Sequence, residues 1–258
     1  MPLEKINEDP KDVTHFYATI IDKRLKSMKS FKYSPDTTMT TNERKVFCAD
    51  AIQWLKDNTI TEGSLVASLP DISEFQQSSL VQWKQWFTDT ARLVLSSTPS
   101  NGLTFFYQTD IKWEGTWVDK GYLCQKAAEE VGHQLLWHKV ICRAPAGTIT
   151  FGRPAYSHIL CFSKDLRVDP AKSTADVIPG MGEKTWERGM GYEACQMIAR
   201  FIKSQATAPI LIHPFCGEGG MLAVANQEGL SAIGIERSPK RAERAQAMKV
   251  SQDGKFWV

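Results

Sequence analysis

The sequence predicts an α/β fold, a largely parallel sheet with helices on both faces, and three features carry that expectation. Short apolar runs alternate with amphipathic, helix-like segments along the chain. One such run, Ile210-Leu211-Ile212, breaks into His213-Pro214-Phe215-Cys216-Gly217-Glu218-Gly219-Gly220 and then into the helix-like Met221-Leu222-Ala223-Val224-Ala225. A second buried run, Ala232-Ile233-Gly234-Ile235-Glu236, follows and ends in a carboxylate. With 258 residues, 42% hydrophobic and 23% charged, the chain can bury one substantial core.

Residues 1–41 read as a helical extension and linker, and residues 42–258 as one folded domain. In the extension, residues 15–28 place Phe16, Tyr17, Ile20, Ile21, Leu25 and Met28 on one stripe, with Lys23, Arg24, Lys26, Lys29 and Lys32 beside Phe31 and Tyr33. Basic residues among aromatics suit phosphate contacts and base stacking. The same pattern also fits an amphipathic helix docked on the core with a solvated basic face. The net charge of +2 gives nucleic-acid binding no global electrostatic support. Residues 34–41, rich in Ser, Thr and Pro, separate this helix from the domain.

Within the domain, an extended Lys45-Val46-Phe47 runs into a helix-like segment at residues 48–55. Gly63-Ser64-Leu65-Val66-Ala67 is a second strand, leading into Ser68-Leu69-Pro70-Asp71. Residues 83–95 read as an amphipathic helix, Ser100-Asn101-Gly102 as a turn, and Leu103-Thr104-Phe105-Phe106-Tyr107 as a third strand. A helix over residues 122–131 then leads to a strand at 134–141, and the turn Phe151-Gly152-Arg153-Pro154 to a strand at 157–162. Residues 165–187, with Pro170, Pro179, Gly180 and Gly182, look irregular.

The strand, glycine cluster and helix place backbone N–H groups and bare main chain where a small molecule can approach. An acid at the tip of the next strand is where a ribose diol is gripped, because one carboxylate accepts both hydroxyl protons. A tight turn with no ligand is the plain alternative for the glycines alone, and their spacing is not G-x-G-x-x-G, which disfavours a nicotinamide cofactor. A nucleoside-containing cofactor is the expectation.

Over residues 43–248 the sequence resembles circularly permuted class I S-adenosylmethionine-dependent methyltransferases, of the β-group that methylates amino groups of DNA. Those proteins carry a D-P-F-x-G-x-G-T loop followed by G-I-E/D; here stand H-P-F-C-G-E-G-G and then Gly234-Ile235-Glu236. The resemblance implies a Rossmann-like, seven-stranded, mostly parallel sheet in permuted order. It implies that S-adenosyl-L-methionine is held by Pro214, Phe215, Cys216, Gly217, Gly219 and Glu236. Asp50, in Cys48-Ala49-Asp50-Ala51-Ile52-Gln53-Trp54-Leu55, matches the acid that contacts the adenine amino group.

The family's D/N-P-P-Y catalytic loop corresponds to Ser68-Leu69-Pro70-Asp71, a degraded match. Ser68 and the Leu69 carbonyl retain acceptors for a target amine, Pro70 stiffens the loop, and the stacking aromatic is absent. Asp71, with Glu74 three residues on, reads either as a group orienting or deprotonating the substrate or as a helix N-cap with its capping partner. Before the glycine loop the family's Lys-Pro pair is replaced by Arg188-Gly189-Met190-Gly191-Tyr192.

The interval after the last hairpin, which houses the sequence-reading part of DNA methyltransferases, is here too short for a compact domain. Sequence-specific modification of duplex DNA is therefore disfavoured, and together with the family resemblance and the basic, aromatic extension this makes RNA the expected substrate, with a tRNA nucleobase nitrogen favoured. Lys23, Arg24, Lys26, Tyr107, Asp110 and Arg153 are candidate substrate contacts, and Gln108 is a further candidate near the mouth. For His158 a core or hairpin-packing role is favoured. A protein or small-molecule methyltransferase, or a cofactor-binding subunit without catalysis, are the alternatives. The resemblance allows a homodimer or a heteromeric partner. Direct in-line methyl transfer needs no metal.

No run reaches the length that spans a bilayer and the N-terminus lacks a secretory core, so an intracellular protein, cytoplasmic or nuclear, is expected. Six scattered cysteines without a C-x-x-C pair read as buried free thiols.

Overall fold

The computed structural model describes residues 42–75 and 79–258. The basic helix expected at residues 15–28, with Lys23, Arg24 and Lys26, lies outside the described residues.

The sheet assembles strands from both ends of the sequence. Five strands run parallel in the spatial order β1 (Arg44–Cys48), β10 (Ser231–Glu236), β9 (Ile210–His213), β2 (Ser64–Ala67) and β3 (Thr104–Gln108). On β3 lies the antiparallel β7 (Tyr156–Ser163), then β6 (Gln134–Cys142), and at the edge β8 (Val177–Ile178). β2, β3, β9 and β10 are buried along their whole length, as strands covered on both faces must be. All seven strands read from the sequence are present in this sheet. The eighth, β8, is not legible in the sequence: two residues carry no periodicity, and Val177 and Ile178 are placed by pairing with Val140 and Ile141. Two small hairpins, β4 (Ile111–Trp113) with β5 (Thr116–Val118) and β11 (Lys249–Val250) with β12 (Phe256–Trp257), lie outside the main sheet.

Helices cover both faces. On one, α4 (Tyr192–Gln205) buries Ala194, Cys195, Ile198, Ala199 and Ile202 in a cluster with Phe105 and Tyr107 of β3. Phe105, Trp137 and Phe201 meet there with ring centroids 5.2–6.1 Å apart. Because side chains alternate along a strand, Phe106 turns the other way and meets Phe162 edge-on. α2 (Leu80–Ser97), entered through a reciprocal Ser79 and Gln82 capping box, buries Trp83 and Phe87. α3 (Lys120–Glu130) starts where the Asp119 carboxylate accepts from Tyr122 N at 2.8 Å. The remaining helices are α1 (Ala51–Asp57), α5 (Gly220–Gln227) and α6 (Pro239–Ala247).

The two ends of the domain are stitched by Arg44. Its guanidinium donates to Asn226 Oδ1 at 2.7 Å and to the carbonyls of Ala245 and Met248, at the negative end of α6. Six free cysteines are present, four of them buried, as expected. Among the described residues no helix is long and apolar enough to cross a membrane.

Candidate active site

Five loops leave the carboxyl ends of the parallel strands: 49–50 after β1, 237–238 after β10, 214–219 after β9, 68–71 after β2 and 109–110 after β3. The turn 151–154, with Arg153, instead joins the antiparallel β6 and β7. β9 and β2 are neighbours whose onward connections lead to opposite sides of the sheet, β10 and β3. Open α/β sheets bind ligands in the crevice above such a point.

The glycine loop is held by close approach. Gly217 and Gly219 adopt φ of +55° and +83°, which a side chain resists. A Cβ on Gly219 would lie 2.6 Å from Ala245 Cα, and one on Gly234 would lie 2.5 Å from Leu222 and 2.8 Å from Cys216 Sγ. A Cβ on Gly217 would come no closer than 3.4 Å, to Trp186 Nε1. So Gly219 and Gly234 let α5 and α6 pack, while Gly217 sits in the turn beside the indole. No side chain caps α5, leaving its first-turn N–H groups toward the loop. Cys216 N donates to Ile235 O at 3.0 Å, which ties the loop to β10.

His213 stands where the family has an acid. Burial pushes its imidazole down to about 4, so it is neutral near pH 7, and Nδ1 accepts from Phe215 N at 3.4 Å. Glu236 lies at the tip of β10, opposite Cys48, with Oε1 accepting from Ser238 N at 2.8 Å. Asp50 Oδ1 caps α1 by accepting from Gln53 N at 2.9 Å. Each carboxylate has one oxygen anchored by backbone, which fixes its direction.

The Ser68–Asp71 loop faces the same crevice. Ser68 Oγ and the Leu69 carbonyl receive no hydrogen bond from any described residue, whereas the Pro70 carbonyl accepts from Trp83 Nε1 at 3.4 Å. Asp71 is buried and forms the capping box with Glu74 that the sequence allowed. Its Oδ2 also meets Lys120 Nζ at 2.8 Å and a guanidinium nitrogen of Arg153 at 3.3 Å. Burial alone would raise the Asp71 pKa, but the Lys120 ammonium, its hydrogen bond, Ser73 N–H and Arg153 together hold it below the usual carboxylate value. Such a carboxylate is a weak proton acceptor. Burial lowers the Lys120 ammonium in turn, against the pull of Asp71.

Asp110 is an internal hub. Its oxygens accept from Lys120 N at 2.8 Å, Trp117 Nε1 at 3.0 Å and His158 Nε2 at 2.8 Å, and His158 Nδ1 lies 2.7 Å from His138 Nε2. Burial opposes its ionisation, and the bonds from His158, Lys120 and Trp117 outweigh burial. It therefore positions the start of α3 and hence Lys120, and His158 packs within the hairpin as expected. Tyr107, expected near the mouth, is instead a core residue: two positions from Phe105, it shares that face. Arg188 meets Glu74 at 3.3 Å, bridging the segment before α4 to the loop after β2.

Three residues not singled out for the site belong to it, beside Gln108, itself a candidate at the mouth. Lys120 and Trp117 join it through the contacts above. Trp186 covers Gly217 and carries the Arg241 guanidinium 4.4 Å from its ring centroid. Gln108, at the end of β3, is 2% exposed, and its Nε2 has no hydrogen-bond partner among the described residues. A buried donor without an acceptor is uncommon, and this one stands at the carboxyl end of a parallel strand.

No protein-family model matches the chain, and no curated protein matches it either. Solved structures do. PvuII DNA methyltransferase, cytosine-N4-specific, superposes with a TM-score of 0.61 at 15% identity, covering 80% of this chain and 86% of its own. TTHA0409 from Thermus thermophilus, a candidate DNA modification methylase complexed with S-adenosyl-L-methionine, gives 0.60 at 16%, covering 80% and 93%. The M1.HpyAVI–SAM complex gives 0.53 at 17%, covering 79% and 98%. This likeness establishes the fold. The chain has the Rossmann-like class I methyltransferase fold, with a mixed sheet of eight strands.

Proposed function

We propose that this chain is an S-adenosyl-L-methionine-dependent methyltransferase that modifies an amino group of a nucleobase in nucleic acid. The observation that supports this most is the pairing, across one crevice, of the glycine loop and the Glu236 and Asp50 carboxylates with the unengaged acceptors of Ser68 and Leu69. The residues present fit the cofactor: a left-handed glycine turn at Gly217 and Gly219, first-turn amides of α5 that no side chain caps, and two carboxylates each with a free oxygen for hydroxyl or amino protons. When bound, the cofactor supplies an electrophilic methyl group.

In this reading Ser68 Oγ and the Leu69 carbonyl accept the two protons of the target amine and direct its lone pair. Gln108 Nε2 donates to an acceptor on the base, resolving its orphaned state. Asp71, held ionised by Lys120 and Arg153, shapes the loop rather than taking a proton. The strand order, with β9 and β10 from the C-terminal part set between β1 and β2, supports the permuted reading. RNA is the substrate we favour, with tRNA first among RNAs. The interval from 164 to 191 holds one 3-10 turn and the short β8, and no compact element for reading duplex sequence.

A second reading, a cofactor-binding subunit without catalysis, draws on Asp71 standing where an aromatic would stack. Replacing Gln108 by Leu separates the two. A catalytic site should retain S-adenosylmethionine binding and lose transfer, by about 1–3 kcal/mol of barrier for one lost hydrogen bond to substrate. Undiminished transfer in Gln108→Leu would remove Gln108 from the mechanism, and no transfer by wild type to any nucleic acid would favour the subunit.

A further inference from the structure

Two surface loops meet beside the Ser68–Asp71 loop and expose large apolar side chains to solvent. The hairpin of β4 and β5 and the loop 143–155 between β6 and β7 are joined where Lys112 N donates to Gly152 O at 3.3 Å and Lys112 Nζ to Thr150 O at 3.0 Å. Thr150 is flanked by Ile149 and Phe151, which are 81% and 86% exposed. Lys112 Nζ also lies 5.4 Å from the ring centroid of Trp117, itself 47% exposed. The hairpin and the loop thus form one surface.

Hydrogen bonds and an ion pair lead from that surface to the site. The Trp117 indole donates to Asp110, the hub that positions Lys120. Arg153, two residues from Phe151, reaches Asp71 while its side chain stays 36% exposed. Lys112, Arg143 and Arg153 stand against a single carboxylate, Glu114, in the two segments. Exposed aromatics next to an excess of positive charge match the chemistry of an unpaired strand: π-faces for bases and cations for phosphates. A protein partner would use the aromatics without needing the cations.

We propose that Trp117 and Phe151, with Lys112 and Arg153, form a stacking platform for the single-stranded nucleic acid that flanks the target base. The platform rests on the nucleic-acid reading of the site given above and names how that substrate is held. Stacking requires unpaired bases, so the platform selects single strands or loops over uninterrupted duplex.

The test is fluorescence anisotropy of labelled single-stranded RNA, single-stranded DNA and a duplex of the same sequence. Wild type would be compared with Trp117→Ala and Phe151→Ala, each checked for fold by circular dichroism and for S-adenosylmethionine binding by calorimetry. Single strands should bind more tightly than duplex, and each variant should weaken single-strand binding about tenfold with cofactor binding intact. The RNA and DNA arms identify which strand is preferred. Unchanged affinity in both variants overturns the platform, as does a change in sedimentation on substitution without loss of strand binding, which would make the surface a protein interface. A wild-type chain that binds no single strand overturns it as well. If strands bind through Trp117 and Phe151 but no methyl group is transferred, the platform stands and the methyltransferase reading fails.

Discussion

Acidification should destabilise this domain through His213. The ring is 3% exposed, and burial takes its pKa from 6.5 down to about 4. Between those values the unfolded chain binds a proton that the folded chain refuses, so stability falls as pH drops from 6.5 and levels off below about 4. At about 1.4 kcal/mol per pH unit the full loss is about 3 kcal/mol, a large share of the stability of an ordinary domain. His133 and His138 are also lowered by burial and add loss of the same sign. The decisive comparison is therefore with His213→Asn, which keeps an acceptor for Phe215 N–H and does not titrate. Urea denaturation from neutral pH to about pH 4.5 should show wild type losing about 2–3 kcal/mol more than the variant. Equal acid slopes, or an imidazole of residue 213 titrating near its ordinary value by NMR, would refute the reasoning.

Lys120→Met leaves the buried Asp71 carboxylate with Arg153 as its remaining cation and should cost about 3 kcal/mol in a denaturation experiment. The double variant Lys120→Met with Asp71→Asn should recover most of that loss, because the uncompensated charge is then gone. Gly219→Ala should destabilise by well over 1 kcal/mol, roughly twice Gly217→Ala or more, since both have positive φ but only residue 219 meets Ala245. Similar melting temperatures for the two alanine variants would show that the contact with α6 is not limiting.

Much of the architecture was legible because strands buried on both faces read as apolar runs, and the glycine and proline punctuation marks where they end. The motif residues Asp50, Glu236 and the 214–219 loop fall at strand ends for the same reason. What escaped depends on tertiary pairing. β8 exists only because Val177 and Ile178 find Val140 and Ile141. Lys120 belongs to the site through a partner 49 positions away. Tyr107 could have been placed correctly, since its parity with Phe105 puts it on the core face and not at the mouth.

The claim that matters most is methyl transfer at this crevice. It is tested directly by incubating wild type and Glu236→Ala with isotopically labelled S-adenosylmethionine and separated pools of tRNA, other RNA, DNA, protein and metabolites. Label should enter a nucleic-acid pool, tRNA foremost, with wild type and fall sharply with Glu236→Ala. Label confined to protein or metabolites, or transfer indifferent to Glu236, would contradict the account.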